Sequence, residues 1–168
     1  MRYVESAPLD SLTHAPQALR DKVAAALIDL VLREIFVFGA MQTDPNWANY
    51  RYCPPSGRIV LLDFGAVQTI APSLAADFRA LAQVALDGEP KATRDAMLRI
   101  GYFGPTTAPH HQTLIQSMFD LAMGPLRQAT PFDFGQSDLL EHLRDMGLAI
   151  GSDRDLAHVP PAATLFLH

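Results

Sequence analysis

The sequence is poor in cysteine, in basic charge and in unbroken apolar runs, and each shortage removes a class of protein. Cys53 is the only cysteine among 168 residues, so no internal disulfide can form and no multi-cysteine metal site can be built from this chain. That usage fits a reducing compartment. Lysine and arginine number 13 against 18 aspartates and glutamates, a formal net charge of -5. Broad binding to nucleic acid or to an anionic membrane needs a basic face, so neither partner is expected. Met1 to Ser6 holds no basic region followed by an apolar run, so a signal peptide is not expected. The longest apolar segment, Val23 to Phe38, is interrupted by Asp29, Arg33 and Glu34. It is too broken to span a bilayer and reads as a buried helix. No internal repeat is visible, and the glycines form no Gly-x-Gly-x-x-Gly loop.

About half the residues are apolar and 18% are charged, which predicts a folded chain with a core rather than disorder. Residues 1 to 168 read as one domain. Residues 1 to 14 read as extended and then looped, with a short strand end at Tyr3-Val4 broken by Pro8. Pro16 suits a first helical turn, and Val23, Leu27, Leu30, Val31, Ile35 and Phe38 recur at helical spacing up to Gly39, a good stop. Residues 40 to 49 are polar and aperiodic, hence a loop. Tyr50 to Cys53 and Arg58 to Leu62 flank Pro54-Pro55-Ser56-Gly57 and predict a hairpin. Helical spacing returns near 72–87, 90–100, 109–123 and 137–147. The fold class expected is mainly α, α+β overall: a helical bundle carrying one small β-hairpin.

The chemistry-bearing residues surround that hairpin. Phosphoryl transfer asks a protein for oxygen ligands to metal ions and for a carboxylate near the attacking oxygen. Magnesium takes hard oxygen donors and keeps several waters, so one or two carboxylates and an amide suffice. Protein kinases supply an Asp, an Asn five residues later, and an Asp-Phe-Gly. Here Asp44 and Asn49 stand five apart, and Asp63-Phe64-Gly65 follows the hairpin. Asp133-Phe134-Gly135 is a second copy without an apolar strand or an Asp-x-x-x-x-Asn before it, and reads as a turn or helix-start residue. Each residue also has a plainer role: Asp44 capping a turn before Pro45, Asn49 entering the hairpin, Asp63 capping the next turn. Asn46 shapes the loop, Trp47 reads as packing, and Cys53 as inert. His110-His111 reads as a solvated helix start, and the methionines as core filler.

At Gln42-Thr43-Asp44-Pro45-Asn46-Trp47-Ala48-Asn49 and Leu61-Leu62-Asp63-Phe64-Gly65-Ala66 the chain closely resembles the UbiB family of atypical kinases, also called aarF-domain kinases. The Gln-Thr-Asp-Pro-Asn-Trp form resembles the branch with the mitochondrial coenzyme Q proteins. Tyr3 to Leu9 is similar to the segment linking the two kinase lobes, and the similarity continues through Pro131 to Gly135 and Leu165 to His168. The resemblance implies a protein-kinase-like C-lobe, with residues 1–14 as the inter-lobe hinge. It implies an ATP-dependent kinase or ATPase supporting ubiquinone biosynthesis, with ATP and Mg2+ as cofactors. Asp44 would be the catalytic carboxylate, and Asn49 and Asp63 the metal ligands. Tyr3, Val4 and Glu5 would lie at the adenine, and Asn46 near the nucleotide. It places the protein at the mitochondrial inner-membrane periphery or in the bacterial cytoplasm.

The N-lobe elements of that family, a nucleotide-covering loop, a strand Lys with its partner Glu, and a Lys-x-Gly-Gln, have no counterpart here. Lys22 and Lys91 fall on predicted helices and are poor substitutes. The expectation is a C-lobe fragment whose turnover needs a chain supplying the other lobe. The partners expected are the nucleotide, that chain or coenzyme Q biosynthesis proteins, and a homodimer through the face left open. The alternative is a non-catalytic, kinase-derived module that docks a partner protein.

Overall fold

The computed structural model describes residues 4–44 and 46–152. These fall into two compact units divided between Ala75 and Ala76. The chain is mostly helical with small antiparallel sheets, in keeping with a kinase-like α+β fold.

In the first unit, strand β1 (Ala7–Pro8) leads through a short 3₁₀ turn (Leu9–Leu12) to helix α1 (Gln17–Arg33). Pro16 precedes the helix, and its carbonyl accepts the N–H groups of Leu19 and Arg20 at 2.9 and 3.2 Å. A π-helical turn, Glu34–Phe38, extends α1 and ends at Gly39, whose φ of 63° needs no Cβ penalty. Strand β2 (Ala40–Gln42) follows, then the hairpin β3 (Tyr50–Cys53) and β4 (Arg58–Leu61), and β5 (Val67–Thr69). The hairpin turn closes where the Cys53 carbonyl accepts from Gly57 N–H at 2.8 Å.

Two predictions differ from this architecture. The strand near the start is Ala7–Pro8, paired with Tyr52 and Arg51, rather than Tyr3-Val4. Tyr3 lies outside the described residues, and Val4 is exposed. The Arg51 guanidinium donates to Ser6 Oγ at 2.9 Å and to the Ser6 carbonyl, which fixes the pairing where it occurs. The segment predicted as loop begins with β2, which pairs with β5 in the register Ala40–Thr69, Met41–Gln68, Gln42–Val67. Three-residue strands carry too little alternation to be read from sequence.

Leu9, Val23 and Tyr52 form the core of this unit, with Leu12, Leu19, Leu27, Tyr50 and Ile59 packed around them. Leu19, Val23 and Leu27 lie four apart on one face of α1 and meet the hairpin there. The expectation of a buried helix is corrected. Within residues 23–38 only Val23 and Glu34 are buried, and Ile28, Leu32, Val37 and Phe38 are exposed. A helix apolar on several faces buries only the one that finds a neighbour.

Helix α2 (Pro72–Leu86) leads into the second unit, followed by α3 (Pro90–Ile100), α4 (Pro109–Met123) and α5 (Leu139–Ser152). Thr93, Ala96, Met97 and Ile100 of α3 repeat at three and four residues and are buried, beside fully buried Phe103. Arg127 Nε donates to the Ala85 carbonyl at 2.6 Å and its Nη2 to Asp120 Oδ1 at 3.0 Å. His110 is exposed as expected, but His111 is buried, with its ring 4.0 Å from that of His110. The pair therefore is not a solvated helix start throughout. Position 111 lies two residues into α4 and turns inward, while 110 turns out.

Candidate functional site

Strand β2 positions the first half of the site. Gln42 ends the strand, and Thr43 beyond it anchors the loop by giving both its N–H (3.0 Å) and its hydroxyl (2.7 Å) to the Ala66 carbonyl. Asp44 then emerges exposed. Its Oδ1 accepts the Asn46 N–H at 3.3 Å, an Asx turn that starts the loop. Asn46 in turn caps a short 3₁₀ turn, Trp47–Asn49, its Oδ1 accepting the Ala48 N–H at 3.0 Å. This return of the chain brings Asn49 back to Asp44. The Asn49 amide donates to Asp44 Oδ2 at 3.0 Å.

Strand β4 positions the second half. The Leu62 N–H donates to the Asn49 carbonyl at 3.0 Å, which continues the Tyr50–Leu61 pairing by one step and leaves Asp63 one residue beyond the partner of Asn49. Asp63 is exposed, and its Oδ1 accepts the Gly65 N–H at 2.7 Å. A Cβ on residue 65 would lie 3.1 Å from that same oxygen, so the turn favours glycine there. Of the residues singled out in the sequence, Asn49 and Asp63 thus flank the open end of the hairpin, and Asp44 is tied to Asn49. Val4 and Glu5 are exposed and precede β1 outside any regular element.

The side chains at this end of the hairpin are oxygen donors of the kind a hard divalent cation takes. They are two carboxylates and an amide. Because the Asn49 nitrogen is spent on Asp44, its Oδ1 is left to face elsewhere as an acceptor. Asp63 Oδ2 and Asn49 Oδ1 have no hydrogen-bond partner among the described residues, and neither Asp44 nor Asp63 forms an ion pair with them. Among the described residues no group of three or more His, Cys, Asp or Glu converges, here or elsewhere.

Residues missed by sequence reasoning lie beneath these. Gln42, buried, donates from Nε2 to the Asp63 carbonyl at 2.6 Å. Glu34 is buried in the π-helical turn; burial pushes its carboxyl pKa up, against a hydrogen bond from the Gln42 backbone N–H that lowers it. Tyr50 is raised by burial first, then by the negative charges of Glu34 and Asp44. A buried acid ahead of a helix-ending glycine gives no periodic signal, so only the fold reveals it. Trp47, expected to pack, is 65% exposed and borders an open groove of about 380 Å³ with Leu9, Leu12, Val23 and Leu27.

The second Asp-Phe-Gly forms the same local turn: Gly135 N–H donates to Asp133 Oδ1 at 2.9 Å. No strand leads into it, and Ser137 Oγ then accepts the Leu139 N–H at 3.1 Å at the start of α5. The turn reading of Asp133 holds.

Residues 1–96 match the ABC1 atypical kinase-like domain. The chain belongs to this family. It is the family, UbiB, that the loop and Asp-Phe-Gly motifs resemble. This ABC1-family chain is 32% identical over 145 residues to the protein named atypical kinase coq-8, mitochondrial, of Caenorhabditis elegans, covering 83% of the chain and 19% of that protein. It is 30% identical over 174 residues to atypical kinase COQ8, mitochondrial, of Saccharomyces cerevisiae, covering 100% and 34%. With atypical kinase COQ8B, mitochondrial, of Rattus norvegicus it shares 28% over 165 residues, 96% and 30%. The chain therefore spans between about a fifth and a third of the length of these relatives.

Proposed function

We propose that this chain supplies the metal-facing half of a Mg-ATP site in an ATP-dependent atypical kinase or ATPase of the UbiB family that supports coenzyme Q biosynthesis. The observation that carries the reading is the Asn49–Asp44 hydrogen bond beside the strand that delivers Asp63. Asp44 is the catalytic carboxylate, placed to orient and accept the proton of the attacking hydroxyl or water. Asn49 Oδ1 and Asp63 Oδ2 are the magnesium ligands. Asn46, its oxygen engaged by Ala48, turns its amide N–H groups toward the nucleotide side of the loop. Tyr3, Val4 and Glu5 border the adenine. Bound magnesium supplies neutralisation of charge on the phosphate oxygens. Phosphate contacts of N-lobe type complete the site, since electrostatic preorganisation draws on all the contacts together.

The test is magnesium-dependent ATP binding by calorimetry on the 168-residue chain, with Asp63→Asn and Asp133→Asn side by side. Binding that needs magnesium, falls with Asp63→Asn and ignores Asp133→Asn supports the reading. Equal behaviour of all three proteins overturns it.

A second reading is a non-catalytic module that docks a partner protein, and the exposed Ile28, Leu32, Val37 and Phe38 favour it. It requires normal partner binding by Asp63→Asn, and a homodimer is one form such docking could take.

A further inference from the structure

We propose that Gln42 is a positioning residue, a side-chain strut that sets the spacing between the Asp44 loop and Asp63; this rests on the nucleotide-site reading above. Gln42 is 6% exposed. A buried primary amide is costly unless its donors and acceptor find partners, and the partners it finds belong to the two halves of the site. Its Nε2 donates to the Asp63 carbonyl at 2.6 Å, across 21 residues of sequence. Its Oε1 lies 3.5 Å from the Asp44 N–H, at the long limit of a hydrogen bond. One side chain thus touches the backbone of both carboxylate-bearing residues.

The strut is itself anchored. Gln42 pairs with Val67 in the two-stranded sheet, and strand β2 packs against the π-helical turn that carries Glu34. Gln42 therefore enters the site from a fixed base. At the other end, Leu62 is tied to Asn49 and Ala66 to Thr43. Between those ties, the Gln42 amide grips the turn from outside at the Asp63 carbonyl. Rotation of the Asp63 peptide would change the direction in which its carboxylate leaves the backbone, and the 2.6 Å bond resists that rotation. Gln42 touches no nucleotide or metal in this account; it acts through Asp63.

Removing such an outer partner of a metal ligand commonly lowers metal affinity about 10- to 100-fold. Gln42→Leu keeps the approximate volume and loses both polar contacts. The experiment is Mn2+ binding in the presence of ATP, read by electron paramagnetic resonance, on the 168-residue chain in four forms: unmodified, Gln42→Leu, Asp63→Asn and the double variant. The expected result is at least about tenfold weaker binding for Gln42→Leu and no further loss when it is added to Asp63→Asn. A folded Gln42→Leu with unaltered affinity overturns the strut, and so does an equal loss in both backgrounds, which is what a general structural defect gives. Should Gln42→Leu fail to fold, Gln42→Asn, one methylene too short to span, takes its place with the same two outcomes. Binding that Asp63→Asn weakens but Gln42 variants do not removes the strut alone. Absence of Mn2+-ATP binding in the unmodified chain removes the nucleotide-site reading and the strut with it.

Discussion

Asn49 gives its side-chain amide to Asp44 Oδ2 at 3.0 Å, so the two ends of a six-residue loop are joined by the side chains that the proposed chemistry needs. On the Asn49 side that bond consumes a donor that a cation has no use for, and on the Asp44 side it takes one lone pair of Oδ2. It also orients the remaining amide oxygen.

Replacing the donor with an acceptor tests this. Asn49→Asp sets a second carboxylate where the amide donates to Asp44, and like charges at that distance repel. We expect the folded chain to lose about 1 kcal/mol, lowering the melting midpoint by about 2–4 °C for a protein of this size. Magnesium should restore it. Calorimetry with and without Mg2+ checks the prediction, and a midpoint indifferent to the metal would count against the site.

Glu34 predicts a pH dependence of stability. Burial holds its carboxyl above the ordinary 4.5, so the folded chain binds this proton more readily than the unfolded chain. The stability from this group is fully present below about pH 4.5 and is lost as pH rises through the raised folded value. Glu34→Gln keeps an acceptor for the Gln42 N–H and removes the titration. The variant should therefore gain on the parent chain as pH rises through that window. Urea unfolding across the acid range measures the difference, and a flat or opposite trend refutes it.

Trp47, the only tryptophan, is a built-in reporter of the loop. At 65% exposure its emission should be water-like and readily quenched by acrylamide. Mg-ATP should reduce that quenching, since Trp47 lies between Asp44 and Asn49 in the chain. Shielded emission without ligand would contradict its position.

The second unit offers a contrast between two apolar residues. Phe103 is fully buried and Leu148 is 65% exposed. Phe103→Ala should cost about 3–5 kcal/mol, while Leu148→Ala should stay within about 0.5 kcal/mol. Chemical denaturation of both variants checks the pair; comparable losses would misplace the core.

The elements with strong periodicity were legible in the sequence. Helices α1, α3 and α4 carry apolar residues at three and four, and Pro16, Pro90 and Pro109 with Gly39 and Gly101 mark their ends. The hairpin was legible because Pro54 to Gly57 can only turn. The small sheet of β2 and β5 was not, because its register rests on Thr43, Ala66 and Gln42 contacts made across more than twenty residues. Asp44, Asn49 and Asp63 stood out through spacing. Gln42 and Glu34 did not, because a buried polar residue is recognisable only from what surrounds it.

The two Asp-Phe-Gly turns, at 2.7 and 2.9 Å between carboxylate and glycine N–H, form a matched pair within one molecule. Asp63→Asn and Asp133→Asn delete the same charge from the same tripeptide in the same local shape. Subtracting the second effect from the first cancels the turn and leaves the neighbourhood. Each molecule thus carries its own blank.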